Sequence, residues 1–135
     1  MISQIIAYFG DLERSLLECL AVADYAVLRY EVTAGDGKMR LRARLQDGGQ
    51  LELFEYVALD AQELITRLKY SYHWQSADGL LARRWDAVDH HPHLPHAPHH
   101  VHLPDGEVYG VDPTPKITTV LDEIQASLRM ENTTS

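Results

Sequence analysis

Apolar residues recur at three- and four-residue steps near both ends of the chain, the spacing of one buried helix face. Ser3 precedes the first series in the N-cap position, and Thr114 and Pro115 mark the start of the second. The first series is Ile5, Phe9, Leu12, Leu16 and Leu20. The second is Ile117, Val120, Leu121, Ile124 and Leu128. The pattern predicts an N-terminal and a C-terminal helix, with residues 131–135 as a flexible tail.

Between the helices, apolar and polar side chains alternate with the period of a β-strand, most clearly in residues 38–46. Glycine-containing turns divide the region into strands. The predicted strands cover residues 25–33, 38–46, 50–59, 63–75, 80–87 and, more briefly, 99–103. Consecutive hairpins predict an antiparallel meander sheet of about five to six strands, with both helices packed on one face. The predicted fold class is α+β, with residues 1–130 as a single domain and basic and aromatic side chains on the opposite face.

One acidic residue interrupts the apolar face of the third predicted strand. A turn at residues 47–49 would place Leu45 opposite Leu51 and Glu55 beside Leu41. A carboxylate on an apolar face needs a partner or a proton, so Glu55 is a candidate site residue. An edge position reached by water explains it equally well.

The net charge of −8 bears on whether the partner is a nucleic acid or a protein. A nucleic-acid-binding protein is more often basic, so RNA binding would require a local basic patch; the alternative is a basic partner protein. The lone cysteine, Cys19, fits a reducing cytoplasm. We find no signal-peptide pattern and no apolar run long enough to cross a bilayer, and we expect a cytoplasmic protein with no membrane association.

Residues 90–102 hold seven of the eight histidines. Prolines at every third residue favour polyproline II, which spaces the histidines that follow them by about 9 Å, too far apart to share one zinc ion. The better-placed metal ligands are His91, His100 and His102. The same histidines are candidates for proton transfer, since histidine is the commonest acid–base residue. A solvated loop is the third interpretation.

A second constellation lies in the hairpin formed by residues 70–75 and 81–86. Tyr72 and Trp74 share one face, with Arg83 and Trp85 across the strand pair, and the alternation places Arg67 and His73 on the other face. Arginine grips phosphate and aromatic rings stack on bases, so the hairpin would suit RNA. It would equally suit a protein partner, and the aromatic residues are at least as well explained as core.

The order of motifs along the chain resembles the TumE-type toxins, small bacterial and archaeal proteins of toxin–antitoxin modules. The motifs are Phe54-Glu55-Tyr56, Tyr70-x-Tyr72-His73-Trp74-Gln75, Asp78-Gly79, Arg83-Arg84-Trp85-Asp86, His90-His91-Pro92, Pro98-His99-His100-Val101-His102 and Val120-Leu121-Asp122-Glu123-Ile124. The resemblance implies a growth-inhibiting toxin that is neutralised by an antitoxin protein encoded beside it.

Our preferred hypothesis is a metal-independent ribonuclease that needs no cofactor. RNA cleavage requires a base, an acid and cations around the phosphate. The candidates for proton transfer are His73 and one of His91, His100 and His102. Arg83 or Arg84 would hold the phosphate, and Asp86 would orient a histidine or arginine. The candidate substrate-binding residues are Glu55, Arg67, Tyr72, Trp74 and Trp85.

Two other hypotheses remain open. In one, the protein is a non-enzymatic binding module whose aromatic and arginine residues form the antitoxin or target interface. In the other, it is a hydrolase that depends on a divalent metal such as zinc, held by His91, His100 and His102. The expected partners are an antitoxin and RNA, and the chain could also pair with a second copy of itself as a homodimer.

Overall fold

The computed structural model describes residues 3–86, 100–110 and 115–133 of the chain. Two helices, α1 (Gln4–Glu18) and α2 (Ile117–Thr133), flank the strands. The strands are β1 (Val22–Val32), β2 (Asp36–Leu45), β3 (Gln50–Leu59), β4 (Ile65–Gln75), β5 (Leu81–Asp86), β6 (His100–His102) and β7 (Val108–Gly110). They form one sheet in chain order, and every neighbouring pair is antiparallel.

This architecture confirms the predicted α+β fold, a meander sheet with both helices on one face. The strand β7 is an addition to the prediction, because its three residues are too few to show an alternation. The helix α2 also reaches Thr133, so it includes residues 131–133, which we expected in the tail.

The helix α1 begins where the sequence predicted. The Ser3 side chain accepts a hydrogen bond from the Ile6 backbone N–H at 3.1 Å, as an N-cap does. The buried face of the helix consists of Ile5, Phe9, Leu12 and Leu16. The predicted series does not continue to Leu20, which is 76% exposed because the helix ends at Glu18.

The core lies between the helices and the buried face of β2, β3, β4 and β5. Close contact with α1 requires a glycine in β2. A Cβ atom at Gly37 would lie 2.6 Å from Cγ2 of Ile5 and 2.8 Å from Cε2 of Phe9. The missing side chain therefore lets α1 approach the sheet.

The register of β2 and β3 corrects one prediction. Glu55 pairs with Met39 and not with Leu41. The left-handed residue of the turn is Gly48, with φ 91°, and the Leu45 N–H donates to the Gly49 carbonyl at 2.9 Å. The turn thus begins one residue earlier than predicted, as in a three-residue hairpin loop that ends on a left-handed glycine. Because the register changes by an even number of residues, every side chain keeps its predicted face.

Candidate functional site

The sheet face away from the helices carries a line of polar side chains that crosses five strands. Successive partners in the register are Arg42, Glu52, His73, Arg84 and His102. Directly paired residues of antiparallel strands point to the same face, so these five side chains lie side by side. We call them the charged row. It brings together three residues that the sequence singled out: His73, Arg84 and His102.

Arg84 is the centre of the row's most compact part. Its Nη2 lies 3.1 Å from Nε2 of His102, and its Nε lies 3.2 Å from Oδ2 of Asp86. Asp86 Oδ2 is also 3.7 Å from Nε2 of His102, and the Asp86 residue is only 3% exposed. A guanidinium can only donate, so Nε2 of His102 is the acceptor in this contact.

His73 faces Arg84 from the neighbouring strand β4. Partial burial lowers the pKa of His73, and the Arg84 cation lowers this pKa further, against an opposing effect of Glu52. Both effects disfavour the charged imidazolium. His73 therefore presents a neutral imidazole at neutral pH, the form that takes up a proton as a general base.

Three other predicted residues of the hairpin lie on the helix side of the sheet. Trp74 pairs with Arg83 and packs against the core, while Trp85 pairs with Tyr72 and is 3% exposed. Arg83 Nη1 lies 2.7 Å from Oε2 of Glu123 on α2. The expectation that the aromatic residues of this hairpin line the opposite face is thus corrected, because their large apolar area is buried under the helices. The sheet separates both indoles from Arg84.

A second polar group is buried on the helix side around Glu55, which is 1% exposed. The hydroxyl of Tyr8 donates to Oε1 of Glu55, and the hydroxyl of Tyr72 donates to Oε2 at 2.6 Å. Arg67 Nη1 in turn donates to the Tyr72 hydroxyl at 2.6 Å, and its guanidinium lies 4.1 Å from the ring centroid of Tyr70. Glu55 therefore has the hydrogen-bonding partners that a carboxylate on an apolar face requires.

Arg67 reaches this group because of an irregularity in β4. Tyr56 pairs with Lys69, but the next residue of β3, Val57, pairs with Arg67. Leu68 is the extra residue of a bulge, which changes the face of every residue on one side of it. Arg67 therefore shares a face with Tyr72, and the predicted alternation, which placed them on opposite faces, is wrong here.

The tyrosines of this group are held in their neutral form. Burial raises the pKa of Tyr8 and of Tyr72 strongly, and the negative charge of Glu55 raises both further. Burial raises the pKa of Tyr70 to about 12. These hydroxyls remain hydrogen-bond donors at neutral pH. Tyr8 is the member that sequence analysis missed, because no local pattern links a helix residue to a strand residue so far along the chain.

The side chains of two candidate histidines, His91 and His100, are not among those that the structure describes. His91 lies outside the described residues. The backbone of His100 pairs with Asp86, but its side chain lies outside the described part of the structure. Within the described ranges, no group of three or more His, Cys, Asp or Glu side chains is placed to hold a metal ion.

A comparison with protein-family models decides the family. The model described as Toxin TumE matches residues 12–128. The chain belongs to the TumE toxin family. The match confirms the resemblance seen in the order of motifs, and it identifies the chain as a toxin whose expected partner is an antitoxin. No curated protein and no solved structure matches this TumE family member. Among its described helices, none has the length and apolar character needed to cross a membrane.

Proposed function

We propose that this toxin is a metal-independent ribonuclease and that its active site is the charged row together with Asp86. One observation carries the proposal: Arg84 lies between two imidazoles on the same sheet face, with His73 opposite it on β4 and His102 opposite it on β6. Two imidazoles flanking a cation supply the groups that RNA cleavage needs.

The reaction is an attack of the ribose 2′-hydroxyl oxygen on the adjacent phosphorus. A bond forms between this oxygen and phosphorus, and the bond from phosphorus to the 5′-oxygen breaks. A base removes the 2′-hydroxyl proton, an acid protonates the leaving 5′-oxygen, and a cation stabilises the charge on the phosphate in the transition state. The products are a 2′,3′-cyclic phosphate and a 5′-hydroxyl, and no water or metal ion takes part.

The environment of each side chain suggests its role. His73 is the base, because its lowered pKa keeps it neutral. Arg84 binds the phosphate, for which the planar guanidinium offers two parallel donors. A phosphate that takes a donor of Arg84 releases Nε2 of His102, which can then carry the proton for the leaving oxygen. Asp86 Oδ2, 3.7 Å from that nitrogen, stabilises the resulting imidazolium. His91 and His100 remain the other candidates for this acid.

RNA binding by a chain of net charge −8 needs a local excess of cations. The charged row supplies Arg42 and Arg84, and Arg40 lies beside it on β2. Glu52 is shared between Arg40, at 3.4 Å, and Arg42, at 3.8 Å, so one carboxylate faces two guanidinium groups. This part of the face therefore remains positive and suits a phosphate backbone.

The proposal is tested by incubating purified protein with RNA in the presence of a chelator. Wild type should cleave the RNA and leave 2′,3′-cyclic phosphate ends, whereas His73→Ala and His102→Ala should each lose about 10²–10⁴-fold in rate. Both variants should also lose toxicity on induced expression. Cleavage that stops in chelator would favour the metal-dependent hydrolase, and growth arrest by both variants with intact RNA would favour the binding module.

A further inference from the structure

A cavity of about 640 Å³ opens on the helix side of the sheet, away from the charged row. It lies between the middle of α1, the start of β4 and the N-terminal end of α2. Its lining residues include Tyr8 from α1, Arg67 from β4 and Lys116, which directly precedes α2. The volume is in the range of small-molecule sites. The charged row uses none of these residues, so the cavity is a separate feature of the fold.

One end of the cavity is cationic. Arg67 and Lys116 both line it, and neither takes part in an ion pair between described residues. The guanidinium of Arg67 is fixed by stacking on Tyr70 and by one hydrogen bond to Tyr72. An arginine has five N–H donors, so others remain for a ligand, and their position is set before the ligand arrives.

The one carboxylate among the described residues of the cavity wall is directed elsewhere. Asp11 lines the cavity, but its Oδ1 lies 3.5 Å from Nη1 of Arg14, and both side chains are largely exposed. Among the described lining residues, two cations therefore face one carboxylate, and the Glu55 carboxylate lies behind Tyr8. This balance favours an anionic ligand.

The remaining walls suit the body of an organic molecule. The apolar part consists of Leu12, Ile65 and Ile117. The hydroxyl-bearing part consists of Tyr8, Ser15 and Thr118. The Tyr8 hydroxyl donates its one hydrogen bond to Glu55. Its oxygen can therefore still accept a hydrogen bond from a ligand hydroxyl.

We infer that this cavity binds a small organic phosphate of nucleotide size. The phosphate would contact Arg67 and Lys116, and a ring would lie against the apolar wall. The inference does not depend on the proposed ribonuclease activity, because the sheet lies between the two sites.

Titration calorimetry with the whole chain tests whether the cavity binds such a ligand. The probe is 5′-AMP, and inorganic phosphate and adenosine, which each carry one part of it, are titrated separately. 5′-AMP should bind at one site and more tightly than either part. Lys116→Gln should weaken 5′-AMP about tenfold, the effect of one charge-assisted hydrogen bond. Lys116 is exposed, so this variant should fold. The matched control is Lys69→Gln, which removes the same charge from an exposed position paired with Tyr56 on the opposite face.

The outcomes separate this site from the charged row. His73→Ala should bind 5′-AMP as wild type does, and the amide NMR signals of residues 116–118 should shift on titration. The inference is overturned if 5′-AMP does not bind at millimolar concentration. It is equally overturned if Lys116→Gln binds as tightly as Lys69→Gln, or if His73→Ala abolishes binding.

Discussion

Arg84 donates a hydrogen bond from Nη2 to Nε2 of His102 across the β5–β6 pair, over 3.1 Å. The same guanidinium faces His73 on β4, the strand on the other side. One cation is therefore placed to act on both imidazoles, lowering the pKa of His73 and contacting Nε2 of His102. A substrate phosphate that binds Arg84 would change the hydrogen bonding of His102 at the same moment.

Replacing Arg84 should therefore slow cleavage. We expect Arg84→Gln to cleave RNA about 10²–10³-fold more slowly, the usual cost of removing one donor that stabilises transition-state charge. Arg84→Lys should recover little, because an ammonium cannot offer two parallel donors. Initial rates on a defined RNA, with circular dichroism to verify folding, measure the effect.

The control for Arg84 is Arg29→Gln, which removes the same charge from an exposed ion pair with Glu31 on β1. It should cleave at the wild-type rate. Equal losses in the two variants would show that only the overall charge matters, and the assigned role of Arg84 would then be wrong.

The lowered pKa of His73 predicts how stability depends on pH. The ordinary pKa is 6.5, and the folded-state pKa lies below it. Between these two values the unfolded chain binds more protons than the folded protein, so the free energy of unfolding falls as the pH is lowered through this window. His73→Gln removes this contribution, so the variant should lose less stability than wild type between about pH 8 and about pH 5.5.

Urea unfolding of both proteins at the two pH values measures this difference. The other histidines are common to both, so their titration cancels in the comparison. The same lowered pKa predicts that the rate of RNA cleavage falls on the acidic side only below pH 6.5, where His73 becomes protonated. A parallel loss of stability in wild type and His73→Gln would contradict the assignment of a shifted pKa.

The buried Glu55 predicts a contrast between two tyrosine hydroxyls. Tyr72→Phe leaves Oε2 of Glu55 and a donor of Arg67 without their partner, at a cost of about 1–3 kcal/mol in unfolding free energy. Tyr25→Phe removes a similar hydroxyl-to-carboxylate bond, to Glu13 at 2.8 Å, but from a more solvated place. It should cost about 0.5 kcal/mol or less. Chemical denaturation of both variants checks the contrast, and equal costs would show that the Glu55 group contributes no more than a surface contact.

Alternation along the strands was enough to predict which sheet face several candidate residues occupy. It placed Glu55 on the buried face, where the structure supplies its tyrosine partners. It also placed His73 on the face away from Tyr72, where the structure pairs it with Arg84. These inferences depend only on the period of a strand and the position of one turn.

The errors arise where one residue changes the geometry. Two adjacent glycines, Gly48 and Gly49, compete for the left-handed position of the β2–β3 turn, and the sequence does not show which one takes it. The bulge at Leu68 reverses the face of Arg67, and it depends on backbone pairing with β3. The contact of Tyr8 with Glu55 joins α1 to β3, which only tertiary packing determines.

The glycines near α1 provide a test of the packing itself. At Gly37→Ala, the new methyl group would lie well inside contact distance of Ile5 and Phe9, both fully buried. We expect a loss of about 1–3 kcal/mol in unfolding free energy, as for other overpacked cores. Gly10, within α1, has no atom within 4 Å of an added Cβ, so Gly10→Ala should stabilise the protein by about 0.5–1 kcal/mol through helix propensity. Urea unfolding should therefore show shifts of opposite sign. A neutral or stabilising Gly37→Ala would mean that α1 packs less closely on β2 than this arrangement requires.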